Sequence, residues 1–178
     1  MKKSITSICL LLLVGCGFHL RGQLIIPPEL RVIQILPNTP FDPYQKYLRQ
    51  ALKSNEVRVI GPSEEGAKSV LILTLLSQNI SERTLAYGGD GQTNRVLMQL
   101  TVIYQVSKPN GVILIPSSTA QAERELSVNP NFVLSNETER NQVREDLYVD
   151  ATAQLMRQLS ISLSECKAGE TAEAAPTR

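Results

Sequence analysis

The apolar periodicities of this chain predict an α+β sandwich of order β-α-β-β-β-α: a mixed four-stranded sheet with two helices packed on one face. Three observations predict it. The stretches Ser69–Glu82 and Asn94–Ser107 alternate in the period of two that strands require, and Gly88-Gly89-Asp90-Gly91 lies between them. Two other stretches carry apolar residues at helical spacing, one before this pair and one after it. A short Val/Ile-rich run precedes the first helix, so a crossover returns it beside a later strand.

The chain opens on Lys2 and Lys3, followed by an apolar run through Ile8, Cys9 and Leu10 to Val14. That is a charged n-region and an h-region too short for a bilayer core of about 30 Å. Leu13-Val14-Gly15-Cys16 looks like a bacterial lipobox: a small residue admits the peptidase, and the thiol of Cys16 takes the diacylglycerol. Residues 1–15 are then a signal peptide, and 16–30 a lipid anchor and extended spacer holding Pro27-Pro28. One acyl chain holds a membrane only reversibly, and the usual three hold it durably. Gly17, where an Asp tends to retain a lipoprotein in the inner membrane, favours the outer one.

Residues 31–163 form a single α/β domain. Strand one is Arg31–Leu36, stopped by Pro37. Asp42 caps the first helix, with Pro43 at its first position, Gln45 completing a capping box and Asn55 as a left-handed end. Val57–Ile60 is a short extended piece, and Ser63–Lys68 a polar loop. The first half of Ser69–Glu82 is apolar on both faces, which predicts burial on both. Leu85–Gln92 is a loop. Lys108-Pro109-Asn110-Gly111 turns the chain into Val112–Ile115, which resumes past Pro116 to Leu126 as an edge strand or a bulge. After Asn129-Pro130, a helix from Asn136, with Glu139 placed for a capping box, runs to Leu163 on the stripe Leu147, Tyr148, Ala151, Leu155, Leu159 and Leu163. Residues 164–178 are too polar to bury and read as a disordered tail.

Composition excludes several functions. Lys+Arg 18 against Asp+Glu 17 becomes 16 against 17 once Lys2 and Lys3 leave, a charge of −1, so no field or basic run points to nucleic acid. The single His19 lies three residues from Cys16, which leaves no Ser-His-Asp or Cys-His set. No His or Cys pair has metal spacing, and no Gly-Lys-Ser/Thr follows the glycine turn, so no cofactor is expected. Cys166 is left unpartnered and reads as a free thiol.

A binding protein remains. The two long strands reach near 40 Å at about 3.3 Å per residue, so their loop end is expected to project beyond the helices. Arg83 and Arg95 flank that loop, with Leu85 and Tyr87 as apolar neighbours. Guanidinium groups there suit phosphates or carboxylates. Arg124 and Arg140 add charge elsewhere.

At Cys16-Gly17-Phe18-His19-Leu20-Arg21-Gly22 the chain resembles the LptE family of lipopolysaccharide-assembly lipoproteins. Gly91-Gln92-Thr93 between long strands, Asn129-Pro130 before the last helix and the polar tail carry the resemblance further. It implies a non-enzymatic outer-membrane lipoprotein on the periplasmic side. Such a protein sits inside the β-barrel LptD in a one-to-one complex, helps that barrel assemble and binds lipopolysaccharide. Two basic positions of the family pattern fall at Gly89 and Asn136 here, so Arg83, Arg95 and Tyr87 stand as the lipopolysaccharide-binding candidates. Two other classes fit the residues: a lipoprotein that activates a periplasmic envelope enzyme, and a lipid carrier that needs no barrel.

Overall fold

The computed structural model describes residues 31–39, 41–61, 70–129 and 131–173, with the side chains of Val133 and of 166–173 left out. The signal peptide, Cys16, the spacer, the Ser63–Lys68 loop, the thiol of Cys166 and residues 174–178 lie outside this description.

The elements are β1 (Val32–Leu36), α1 (Tyr44–Ser54), β2 (Arg58–Ile60), β3 (Leu71–Tyr87), β4 (Thr93–Ser107), β5 (Ile113–Ser127) and α2 (Val133–Glu173). The α+β class stands, with one strand more than expected. The piece at Val57–Ile60 is a true strand: β2 pairs in parallel with β1 and gives a five-stranded sheet of order β2-β1-β3-β4-β5. The return from β1 through α1 makes that parallel pair, and β1 also lies parallel to β3. Two antiparallel hairpins then carry the sheet out to β5.

Alternation along β4 places the core. Val96, Met98, Leu100, Val102, Tyr104 and Val106 are buried, while the residues between them are half-buried or exposed. The buried set faces the helices, joined by Ile33, Ile35, Leu73 and Leu75 from the sheet, Leu48 and Leu52 from α1, and Leu147, Leu155 and Leu159 from α2. The expectation of a strand buried on both faces is corrected in β3: Ile72 is half-buried and Leu76 exposed. Among the described residues no helix covers the second face, and a bulge between Leu75 and Ser77 shifts the register there.

Helix ends also depart from the sequence reading. Asp42 does accept the Tyr44 N–H (2.9 Å), but Pro43 is the N-cap, and Gln45 donates to the Thr39 carbonyl rather than closing a capping box. At the far end Glu56, not Asn55, takes the left-handed conformation (φ 60°), while the Asn55 amide donates to the Ala51 carbonyl. α2 begins at Val133, earlier than Asn136, and continues past Leu163 to Glu173, where a disordered tail was expected. The Ala, Lys and Glu residues beyond the apolar stripe are good helix formers, and the first proline after Leu163 is Pro176.

Candidate functional site

The β3–β4 hairpin closes through Gly88–Gln92. Gly88 N–H donates to the Gln92 carbonyl (2.7 Å), and Gly91 N–H to that of Gly88 (3.0 Å). Gly91 takes φ 77°, a conformation that costs glycine little. The Asp90 carboxylate accepts the Gln92 N–H (3.1 Å), and a Cβ on Gly88 would come within 2.7 Å of that carboxylate and push it off this bond.

The register assigns the candidate residues to one face. Arg83 lies opposite Leu97, Arg95 opposite Ala86, and Tyr87 opposite Thr93. Thr93, Arg95 and Leu97 alternate with buried Val96 and Met98, so all three candidates belong to the face that carries no helix. Arg83 is exposed and has no carboxylate partner among the described residues. Arg95 meets Glu125 at 3.7 Å, a surface pair worth little and readily exchanged for another anion. The other two arginines are committed to structure. Arg124 pairs with Asp150 of α2, and Arg140 reaches Glu82 of β3 at 3.4 Å.

The hairpin end extends past the level at which Arg140 of α2 meets Glu82, opposite Met98, and is exposed at Leu85 and Tyr87. α2 has 41 residues, about 60 Å at 1.5 Å each, and starts at this same end. It packs over β4 and β5 and leaves Ser81–Leu85 of β3 exposed. The β5–α2 connection therefore stands beside the hairpin tip: Val128 N–H donates to the Asn94 carbonyl (2.9 Å). That connection adds apolar groups absent from the sequence reading. Phe132 is 61% exposed and Leu134 87%; on the hairpin itself Tyr87 is 68% exposed and Leu85 half-exposed. Two aromatic or leucine positions flanking a predicted helix start were the available signal.

Asn136, where the family pattern has a basic residue, is buried and structural. Its amide accepts the Asn129 N–H (3.1 Å) and donates to the Asn129 carbonyl (2.6 Å). This latch fixes the turn that carries Phe132 and Leu134.

Among the described residues no group of three or more His, Cys, Asp or Glu side chains could hold a metal ion. No described helix is long and apolar enough to cross a membrane. The end offers exposed guanidinium groups beside exposed apolar side chains. That chemistry suits an amphiphilic anion.

A mixed five-stranded sheet under two helices, with a cationic and apolar hairpin end, defines an α+β scaffold. The chain belongs to the LptE family, lipopolysaccharide-assembly, whose pattern matches residues 32–159. It is 30% identical over 153 residues to the LPS-assembly lipoprotein LptE of Photorhabdus laumondii, covering 86% of this chain and 81% of that one. The LptE of Pectobacterium atrosepticum is 28% identical over 155 residues, 87% and 82% of the two chains. The fold is shared with the solution structure of a lipoprotein B from Nitrosomonas europaea: TM-score 0.66 at 19% identity, covering 86% of this chain and 96% of that one.

Proposed function

We propose that this lipoprotein is anchored at the periplasmic side of the outer membrane through acylated Cys16. There it plugs and helps assemble the LptD β-barrel and binds lipopolysaccharide in transit to the outer leaflet. The observation that carries the reading is the hairpin end, where Arg83, Arg95 and Tyr87 share the open sheet face of an LptE-family chain. The arginines meet phosphates on the sugar head, and Tyr87 adds apolar area beside them.

A binding assay with purified lipopolysaccharide tests the lipid part. The Arg83→Ala/Arg95→Ala chain should bind several-fold more weakly, and salt should mimic the loss. Unchanged binding by that chain, with failure to join the barrel, would reassign the end to barrel contact. Affinity capture from detergent-solubilised membranes tests the partner: a one-to-one complex with the barrel is expected, and capture without it favours a barrel-independent carrier. For the anchor, mass spectrometry of the membrane-extracted chain should find residues 1–15 gone and acyl mass on Cys16. A Cys16→Ala chain that is still processed and equally membrane-bound would exclude it.

A further inference from the structure

The two edges of the sheet are finished differently. Along β5, α2 takes the outward Gln121 N–H (2.9 Å) and Thr119 carbonyl (3.1 Å), and Pro116, Glu123 and Glu125 stand in the strand. A covering helix, a proline and charges are what keep an edge from pairing. On the other side of the sheet, β1 covers β3 only from Leu71 to Thr74. From Leu75 to Tyr87, about 40 Å at about 3.3 Å per residue, no strand lies beside β3 on that side among the described residues. That stretch holds no proline and no lysine, and its register with β4 is unbroken from Ser77 to Thr84.

The ladder shows which backbone groups are left open. Val128 N–H donates to the Asn94 carbonyl, and Thr119 and Gln121 of β5 turn their backbone outward to α2. Successive residues of a strand bond to opposite sides. In β4, then, Val96, Met98, Leu100 and Val102 bond toward β5, and Leu97, Gln99 and Thr101 bond toward β3. Their partners in β3 are Arg83, Ser81 and Asn79. Gln78, Ile80, Glu82 and Thr84 alternate with these, so each turns both its N–H and its carbonyl to the open edge. No backbone group from a turn or loop among the described residues bonds to them.

A row of N–H and carbonyl groups on alternate residues is matched by another extended polypeptide. The chain's own residues 16–30 do not suit, because they join β1 at the end away from the hairpin tip, where β1 already fills the edge. A second copy does not suit either. Paired antiparallel along this edge, it brings a second Arg83 to the same face, while the one acid of the stretch, Glu82, faces the helices and holds Arg140 at 3.4 Å. The remaining source is the barrel of the proposed complex. Its wall strands already bond one another on both sides, so the free strand comes from a part of the barrel chain outside the wall.

The foot of the edge carries a second sign. Leu36 closes β1 opposite Thr74, and the connection from there to α1 carries Phe41, 95% exposed. Leu76, at the start of the open stretch, is exposed as well. Aromatic side chains in water beside unpaired backbone suit an interface.

We propose that Gln78–Glu82 of β3 pairs with an extended loop or terminal segment of the barrel chain, which joins the sheet as a strand in line with β1. This rests on the plug reading. The segment that fits alternates: apolar side chains beside Ile80, which packs on the core, and polar ones beside Asn79 and Ser81 on the opposite face. Phe41 stands at the end nearest β1. The pairing fixes the rotation of the plug in the lumen and leaves the side chains of Arg83, Arg95 and Tyr87 free for lipid beyond it.

The test is site-resolved amide hydrogen exchange on the purified complex with the barrel, against the same chain alone. In the free chain the amides of Gln78, Ile80 and Glu82 should exchange fast, and those of Asn79, Ser81 and Arg83 slowly, since β4 holds them. In the complex the first three should slow at least about tenfold, so that the alternation disappears. An alternation that persists in the complex would overturn the proposal. Ile80→Pro removes one outward N–H and spares the β4 ladder. It should carry about two- to tenfold less barrel through affinity capture than Ile80→Ala, which loses the same packing and keeps the N–H. Melting temperatures of the two free chains show whether either fails to fold, and the wild-type exchange pattern decides the matter where one does. Equal capture by two folded variants would overturn the proposal, as would a free chain that dimerises with those amides already slow. A wild-type chain that captures no barrel ends the plug reading and this inference with it; fast amides in a captured complex end this inference alone.

Discussion

Asn136 shows how one side chain can decide the shape of the binding end. Its amide holds both backbone groups of Asn129 while itself buried, which gives α2 its starting angle beside the hairpin tip. Asn136→Ala leaves the Asn129 N–H and carbonyl without that partner. The expected cost is about 1–3 kcal/mol of unfolding free energy, measured as a lower urea midpoint at unchanged slope. An unchanged midpoint would mean the turn is held by Phe132 and Val128 backbone bonds alone. Tyr104 acts in a different range. It is fully buried, its hydroxyl donates to the Gln158 amide (3.0 Å), and burial pushes its pKa from 10.0 up to about 12. The folded state therefore disfavours the phenolate, while the unfolded chain ionises near 10.0. Stability is complete below pH 10 and falls as the pH rises toward about 12. Tyr44, buried under α2, is pushed up further for the same reason and adds to the fall. Alkaline titration followed by circular dichroism should show this loss, and Tyr104→Phe should flatten part of it.

At the scale of elements, the long alternating strands were plain in the sequence because burial on one face leaves a period of two over many residues. β2 escaped as a strand because three residues carry no period, and its partner β1 is close only after α1 has turned the chain. The start of α2 was misplaced because Asn136 followed by Glu139 reads as a capping box, while the asparagine is spent on Asn129. The arginines of the tip were legible from the hairpin; Phe132 and Leu134 were not, since only the β5–α2 packing leaves them exposed. The edge strand β5 posed a problem that sequence alone does not reveal. Its outward groups are open to pairing with another strand. α2 answers this with two glutamines one turn apart: Gln154 accepts the Gln121 N–H (2.9 Å), and Gln158 donates to the Thr119 carbonyl (3.1 Å). Gln154→Ala/Gln158→Ala should free both groups. Sedimentation velocity is expected to show concentration-dependent association of the double variant and a monomeric wild type. A double variant that stays monomeric would assign the guarding of this edge to Glu123 and Glu125 instead.

For the molecule as a whole, the question is whether the sandwich stands without anchor, barrel or tail. Among the described residues no helix covers one face of the sheet, so about half of its side chains enter the core, and that argues for a modest margin. Against this, the core is continuous from Ile33 to Leu163 and draws on four of the strands and both helices. The longest-range ties close it: α2 packs over β4 and β5, and α1 packs on α2 through Tyr44, Tyr47 and Tyr148, whose rings lie 5.2–6.0 Å apart. The outermost core residues, Ile33 and Leu163, lie close to the ends of the family match at 32 and 159. A chain trimmed to 31–165 keeps all of these contacts. It should be soluble and unfold in urea as one cooperative step, with circular dichroism and tyrosine fluorescence coincident and a slope of about 1–3 kcal/mol per molar. Separate transitions for the two probes would locate the weakness: early loss of the tyrosine signal would mean α1 parts from α2 first. A non-cooperative slope would instead mean that the open face of the sheet must be covered by a partner before the core closes.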